Sequence, residues 1–222
     1  IICCMAKNII LCDDHSLLRN GIKNWIQSYS NFKVTGEAGT WEECKKIAES
    51  FSHSKNAEDA GCVAIVDISF KAEYTNSGHE EYCGFEIIKM FSALGIPCIA
   101  YSSHDSGGFV EHATSAAVGA KGFVSKNADE TVLLAALEAI SAGKTYIQAE
   151  LVTGLLEVRD ITQTFTKKEK LVAESLTLYN TNADVAATLG ISEKTVVNYL
   201  TILYDKAGVK SKLEFLERMG RL

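Results

Sequence analysis

The stretch "NIILCDDHSLLRNGIKNWI", residues 8–26, decides the fold of the first part of the chain. It opens with a short apolar run that closes on two aspartates, a pattern that indicates a buried strand ending at a polar edge. The apolar residues that follow recur every three or four positions, which is the spacing of a helix with one buried face; they are Leu17, Leu18, Ile22, Trp25 and Ile26. The stretch therefore predicts a strand followed directly by a helix.

This strand-then-helix pattern is repeated along the chain. The strand-like runs are residues 8–13, 32–38, 62–67, 97–103 and 121–125, and a segment with helical spacing follows each of them. Such alternation predicts an α/β fold: a five-stranded doubly wound parallel sheet with helices on both faces. From Thr166 onward the spacing is helical throughout, which predicts a small all-α domain. We expect a first domain over 6–142, a linker over 143–160 and a helical domain over 161–222.

Composition and charge narrow the class of protein. The chain has 222 residues, of which 47% are hydrophobic and 23% charged, as in an ordinary globular protein. Its apolar runs fall well short of the roughly 20 residues that a membrane-spanning helix needs, so we expect no membrane partner. Residues 1–160 contain 13 basic and 21 acidic residues, whereas residues 161–222 contain 9 and 7. This asymmetry indicates two domains with different partners.

The cysteines argue against a zinc site or a disulfide framework. There are seven, at positions 3, 4, 12, 44, 62, 83 and 98, an odd number with no C-x-x-C pair. Several lie inside apolar runs, where a thiol behaves as a small hydrophobic group. We therefore expect a cytoplasmic protein with reduced cysteines.

Polar side chains occupy the ends of the predicted strands. Asp13 and Asp14 close the first strand, Asp67 closes the third, Ser102 closes the fourth, and Lys126 follows the fifth. The carboxyl ends of parallel strands meet at one crevice, where ligands bind. Carboxylates gathered there repel one another, and Mg²⁺ relieves that repulsion. An Asp in such a site can be the nucleophile that forms an aspartyl-phosphate. Taken singly, each residue also fits a plain surface role, and Asp14 could cap the next helix.

The segments "IILCDDHSLLRNGI", "VAIVDIS", "IAYSS" and "GAKGFVSKN" resemble the flavodoxin-like receiver domain of bacterial two-component response regulators, over about residues 6–125. The resemblance implies that a sensor histidine kinase phosphorylates Asp67, and that the chain is not an enzyme beyond loss of its own phosphoryl group. It also implies Mg²⁺ ligands, phosphate contacts and an aromatic residue that changes rotamer on activation: Asp13, Asp14, Asp67 and the Ser69 carbonyl for the metal, Ser102 and Lys126 for the phosphate, and Phe123 as the aromatic residue.

One segment departs from that family. Residues 68–83 separate the third strand from its helix, whereas most such loops have about 2–6 residues. We expect a surface loop here. Because the loop borders Asp67 and carries Glu73, Glu80 and Glu81, one hypothesis is that it controls access or selects the kinase. The alternative is a tolerated insertion, since long surface loops cost little free energy.

The tail contains the sequence "NADVAATLGISEKTVVNYL", residues 182–200, which predicts a helix-turn-helix. Ala186 permits close approach of the two helices and Gly190 permits the turn. The predicted inner face consists of Val185, Leu189, Ile191 and Val196. Upstream, Thr166 and Glu169 have the spacing of a capping box. Any small helical bundle is the alternative, since Ala and Gly occur there too.

With its flanking segments the tail resembles the LuxR-type four-helix domain of the NarL/FixJ class. The resemblance implies that residues 192–205 enter the major groove of double-stranded DNA, with the active protein a homodimer. Val197 stands where a groove-facing Lys is usual. An apolar side chain there could pack on a thymine methyl, and Asn198 could pair with adenine. The candidate contacts are Lys194, Thr195, Val197, Asn198, Thr201 and Lys206, with Lys167, Lys168 and Lys210 near the DNA backbone.

Two other functions stay open. A Mg²⁺-dependent aspartyl-phosphate hydrolase of the haloacid dehalogenase type would use the same nucleophile, but it needs a second acid two residues later, where this chain has Ser69. A receiver-type protein-interaction module without DNA binding is the other alternative, because Val197 and the small positive charge of the tail both weaken the case for DNA.

Overall fold

The structure is a computed structural model that describes residues 7–53, 61–70, 83–178 and 181–219. The chain divides into two compact units, one formed by Ile1–Ser103 with Ala113–Gln148 and the other by His104–His112 with Ala149–Leu222. Each unit is built around its own hydrophobic core. One core belongs to the part predicted as α/β and the other to the part predicted as helical.

The first unit contains a parallel sheet. In the described residues its strands are β1 Lys7–Cys12, β2 Phe32–Ala38, β3 Val63–Asp67, β4 Cys98–Ser102, β5 Gly122–Ser125 and β6 Tyr146–Ile147. Their order across the sheet is β2-β1-β3-β4-β5-β6. The prediction of five strands was one short, because β6 was assigned to the linker. This strand has only two residues, which pair with Gly122 and Phe123 of β5, and so short a strand has no periodicity of its own.

Helices cover both faces of the sheet. They are α1 Ser16–Tyr29, α2 Trp41–His53, α3 Gly84–Ala93 and α5 Glu130–Ser141. Helix α4, Gly107–Thr114, follows β4 in the chain, and its residues as far as His112 belong to the second unit. Alternate strand residues such as Ile9, Ile65 and Val124 pack with α1 and α5 in one core cluster. The intervening residues point to the opposite face, where α2 and α3 contact each other. Strands β3, β4 and β5 are buried along their whole length, as expected for a sheet covered on both sides.

The second unit is helical. After a short 3₁₀ helix, Ala149–Leu151, come α6 Val152–Gln163, α7 Lys167–Leu178, α8 Asn182–Leu189, α9 Glu193–Ala207 and α10 Lys212–Met219. The predicted capping box is confirmed, since the Thr166 N–H donates to Glu169 Oε2 at 2.7 Å and the Glu169 N–H donates to Thr166 Oγ1 at 3.3 Å. Fully buried Leu203 and Phe215 belong to the core of this unit.

The turn between α8 and α9 has the predicted chemistry. Gly190 ends α8 with φ of 64°, in the left-handed region, which side chains other than glycine rarely adopt. Thr181 and Ser192 cap the two helices by accepting main-chain N–H bonds from Asp184 and Thr195. Val185, Ala186 and Val196 are buried, and Leu189 and Ile191 pack against the same core. The predicted inner face is therefore confirmed.

Three other expectations concern the chain as a whole. The described cysteines, at 12, 44, 62, 83 and 98, are free and buried, as small hydrophobic side chains would be. Within the described ranges no helix combines the length and the apolar character needed to cross a membrane. Residues 71–82 of the predicted loop, including Glu73, Glu80 and Glu81, lie outside the described residues. Of its first residues, Ile68 and Phe70 are fully buried.

Candidate functional site

The centre of the site is an ammonium group between two buried carboxylates. Lys126 Nζ lies 2.9 Å from Asp13 Oδ2 and 2.8 Å from Asp67 Oδ2. Both aspartates are only 1% exposed, and the Lys126 side chain is 14% exposed. The sheet produces this contact because β1, β3 and β5 are parallel and end at the same edge. The prediction that these strand ends converge is confirmed for all three residues.

Asp14 and His15 lie beside this centre. His15 Nδ1 is 2.9 Å from Asp14 Oδ1 and 3.4 Å from Asp13 Oδ1, and the His15 N–H donates to Asp13 Oδ1 at 2.8 Å. Ligand atoms of Asp13, Asp14, His15 and Asp67 all lie within 4.8 Å of one another. His15 occupies the N-cap position of α1. Its place in the cluster was not predicted, although its position directly after the paired aspartates was a usable signal.

Burial and charge set the protonation of the central pair. Burial raises the pKa of Asp67 above its ordinary value, and the nearby Lys126 ammonium opposes this rise without cancelling it. Burial by itself lowers the pKa of Lys126, but contacts with Asp67 and Asp13 outweigh that effect and leave the pKa above its ordinary value. Lys126 therefore stays protonated at neutral pH and supplies a fixed positive charge.

The donor set fits a hard divalent cation. The carboxyl groups of Asp13, Asp14 and Asp67 lie close together, and two of them contact the Lys126 ammonium. When ionised they leave excess negative charge in a largely buried pocket. Oxygen-rich sites with a few carboxylates are those that Mg²⁺ prefers. Asp67 Oδ2 is buried, and its contact within the described structure is the ion pair with Lys126 Nζ at 2.8 Å.

The main chain after β3 fixes the Asp67 carboxylate. The Ser69 N–H donates to Asp67 Oδ1 at 2.9 Å; the predicted metal contact of the Ser69 carbonyl stays a prediction. The first residue of α3, Gly84, packs directly behind this segment. A Cβ atom at Gly84 would lie 2.2 Å from the Asp67 carbonyl oxygen and 2.5 Å from Ile68 Cα. Sequence reasoning missed Gly84, because no local pattern reports an approach between residues 17 positions apart.

Ser102 and Phe123 lie where the sequence predicted. Ser102 is fully buried at the end of β4, in register with Ser125 of β5, and its carbonyl accepts the Lys126 N–H at 2.8 Å. Phe123 is fully buried in β5, opposite Ala100. Their proposed roles, phosphate contact and rotamer change, stay predictions. The backbone bond between Ser102 and Lys126 does bring these two predicted phosphate contacts to adjacent strand ends.

The second unit presents α9 to solvent along one side. Lys194, Val197, Asn198 and Thr201 are exposed, with 49% of Val197 accessible. The Thr201 hydroxyl donates to the Val197 carbonyl at 3.2 Å. All four are thus placed on the surface, as a groove-facing role requires.

Other predicted DNA contacts have partners within their own unit. Thr195 Oγ1 lies 2.8 Å from the N-cap hydroxyl of Ser192. Lys206 Nζ donates to Glu169 Oε2 at 2.6 Å and to the Thr164 carbonyl at 2.8 Å, so its charge joins α9 to the start of α7. By contrast, Lys167, Lys168 and Lys210 are exposed.

Comparison with known proteins decides the family. The model of the LuxR family of bacterial regulatory proteins matches residues 163–218. The transcriptional regulatory protein UhpA of Salmonella typhimurium is 30% identical over 211 residues, covering 95% of this chain and 96% of that protein. The chain is a LuxR-type two-component response regulator. This response regulator belongs to the class that controls transcription.

Two further comparisons concern a second related sequence and a similar fold. The response regulator is 24% identical to the transcriptional regulatory protein YdfI of Bacillus subtilis over 217 residues, which cover 94% of this chain and 92% of YdfI. Its fold is similar to that of RcsB from Salmonella enterica serovar Typhimurium, solved bound to a promoter, with a TM-score of 0.66 and 19% identity over 98% of this chain and 99% of that one.

Proposed function

We propose that this response regulator accepts a phosphoryl group on Asp67 from a sensor histidine kinase and, once phosphorylated, binds double-stranded DNA as a homodimer through α9. The observation that carries the first half is the Lys126 ammonium within 2.9 Å of both Asp13 and Asp67. In this proposal the chain turns over no external substrate and only loses its own phosphoryl group by hydrolysis.

The chain's own groups account for the transfer. A carboxylate oxygen of Asp67 attacks the phosphorus of a phosphohistidine; a P–O bond forms, the P–N bond breaks, and its electron pair returns to the imidazole of the kinase. The Ser69 N–H bond to Oδ1 holds the carboxylate orientation. The Lys126 ammonium and the Ser102 hydroxyl would contact the phosphoryl oxygens. Asp13, Asp14, Asp67 and the Ser69 carbonyl would hold Mg²⁺, which would offset the charge of the transferred group.

The test is intact-mass measurement after incubation with Mg²⁺ and acetyl phosphate. We expect the wild type to gain one phosphoryl group and Asp67→Ala to gain none. Asp129→Asn is the matched control, because Asp129 is an exposed aspartate that caps α5 and Asn caps helices equally well. A phosphoryl group that persists in Asp67→Ala contradicts the assignment. No gain with acetyl phosphate or with purified histidine kinases contradicts phosphorylation itself.

The exposed side of α9 supports the second half of the proposal. A helix-turn-helix places its second helix in the major groove, and α9 follows a tight glycine turn and a Ser192 cap. Its positive charge is low, because Lys206 is paired with Glu169 and Val197 is uncharged. Few phosphate contacts mean weak binding by one copy, and two copies on adjacent half-sites double the number. Dimerisation would therefore decide whether α9 binds DNA tightly enough to remain on its site.

The test is titration of the full-length protein, with and without phosphodonor, against a genomic fragment library at two salt concentrations. We expect retention that increases with phosphorylation. Val197→Lys should tighten binding to unrelated sequences and steepen the salt dependence by about one unit. If no fragment is retained by the phosphorylated protein at low salt, α9 does not bind DNA and the interaction-module function takes its place.

A further inference from the structure

The exposed surface of α9 contains a compact patch in which apolar groups adjoin a single amide side chain. Val197, Asn198, Thr201 and Ile202 are neighbours because residues three and four apart lie on one side of a helix. All four are exposed, with 49% of Val197 and 41% of Ile202 accessible. The core residues of α9, such as Val196 and Leu203, face the other way. Val197, Ile202 and the methyl group of Thr201 therefore adjoin the Asn198 amide on the outer side of the helix.

The hydroxyl of Thr201 is already engaged as a donor within the helix. The Thr201 hydroxyl donates to the Val197 carbonyl at 3.2 Å. Thr201 therefore offers its methyl group, rather than a free donor, to whatever approaches. The Thr195 hydroxyl, near the start of the helix, is likewise paired with Ser192 at 2.8 Å. Among polar groups of the patch, the Asn198 amide makes no hydrogen bond within the described structure.

Free positive charge is also scarce on this side. Lys206, near the end of α9, is held by Glu169 and the Thr164 carbonyl, so it is not free to bind guanine. Lys194 is exposed one turn before Asn198. Guanine is usually read by bidentate Arg or Lys, whereas the thymine methyl is read by apolar contact and adenine by Asn. A patch of this composition matches adenine–thymine pairs.

We infer that α9 selects its site by apolar contact of Val197 and Thr201 with thymine 5-methyl groups on adjacent A·T pairs, with Asn198 bonded to adenine. The inference rests on the proposed binding of DNA through α9 and specifies the sequence class of its target. Val197 and Thr201 lie one turn apart, about 6 Å along the helix, which allows the two methyl contacts to fall on different base pairs. Ile202 lies one helical turn after Asn198 and borders the same patch.

The experiment uses the full-length, phosphodonor-treated protein and one duplex obtained by selection from a random library. Each thymine is then replaced by deoxyuridine, which lacks only the 5-methyl group, and binding is measured by fluorescence anisotropy. Burial of one methyl corresponds to about a fourfold change in affinity. We expect a loss of about fourfold at each contacted thymine and about 15-fold when two are replaced together.

Two variants show whether the loss comes from these side chains. Thr201→Ser removes only the methyl group and keeps the hydroxyl bond to Val197. It should weaken binding to the thymine duplex and remove the uridine penalty at one position, and Val197→Ala should do so at another. Asn198→Ala is the matched control, since it should weaken binding yet leave the uridine penalties unchanged.

The outcomes separate this inference from the proposal beneath it. Equal affinity for the thymine and uridine duplexes overturns the inference while DNA binding stands. A uridine penalty that persists in the Val197→Ala, Thr201→Ser double variant also overturns it, because the loss then reflects DNA shape. Failure to retain any duplex refutes DNA binding by α9, and the inference with it.

Discussion

Gly84→Ala should damage the phosphorylation site, although residue 84 bears no functional group. An added Cβ would lie 2.2 Å from the Asp67 carbonyl oxygen and 2.6 Å from the Ile68 carbonyl oxygen. Both are backbone atoms that no side-chain rotation can move away. Restoring ordinary van der Waals separation requires a shift of roughly 1 Å between the start of α3 and the end of β3. Overpacking of this kind costs about 1–3 kcal/mol, and a 1 Å misplacement of a reacting group can slow a reaction about 100-fold.

The assay has two readouts, the free energy of unfolding in urea and the rate of phosphorylation by acetyl phosphate followed by intact mass. Gly21→Ala is the matched control. Gly21 lies in the middle of α1, and a Cβ there meets no atom within 4 Å. That substitution should raise stability by about 0.5–1 kcal/mol, because Ala favours helix more than Gly does. If Gly84→Ala matches the wild type in both readouts, the close approach behind Asp67 is not a constraint and the reasoning fails.

Three further predictions concern charge and packing. Lys206 holds the pKa of Glu169 below its ordinary value of 4.5, so this carboxylate stabilises the fold above that pH, and the stabilisation is lost as pH falls through the lower, folded pKa. Glu169→Gln should therefore lower the urea midpoint at neutral pH and make that midpoint fall less on acidification. An unchanged dependence of the midpoint on pH would contradict this. Leu203→Ala, in the core of the helical unit, should cost about 3 kcal/mol in urea unfolding, and a loss below about 1 kcal/mol would mean that the site is not tightly packed. EDTA should abolish phosphorylation until Mg²⁺ is restored, and Asp14→Asn should raise the Mg²⁺ requirement at least about tenfold; full activity in EDTA would exclude a metal at Asp13 and Asp14.

The sequence predicted the site best where a residue ends a parallel strand, because all such strands end at the same edge of the sheet. Asp13, Asp67 and Lys126 were predicted to converge because parallel strands end at one edge, and the ion pairs show that they do. Strand β6, Tyr146–Ile147, was missed because its existence depends on the free edge of β5 rather than on its own two residues.

Contacts between distant residues account for the other differences. Gly84 gives no sign in the sequence that it abuts Asp67. Lys206 reads as a free cation on a helix surface, yet it pairs with Glu169, which is 37 positions away. Thr201 reads as a hydrogen-bond donor, and only the structure shows that its hydroxyl is bound to the Val197 carbonyl. In each case the sequence shows which residue is present, but its contacts become known only when its partner is placed beside it in the fold.

The two borders of the parallel sheet are poorly suited to pairing with a strand of another chain. On one side the last strand is the two-residue β6; on the other, β2 carries exposed Lys33 and Glu37, and its register with β1 is irregular between Ile9 and Ile10. Short, charged and irregular edge strands are poor templates for another chain's backbone. The described strands therefore offer no long, regular edge on which a continuous intermolecular sheet could grow. The homodimer proposed above would then form through side-chain contacts rather than by extension of this sheet.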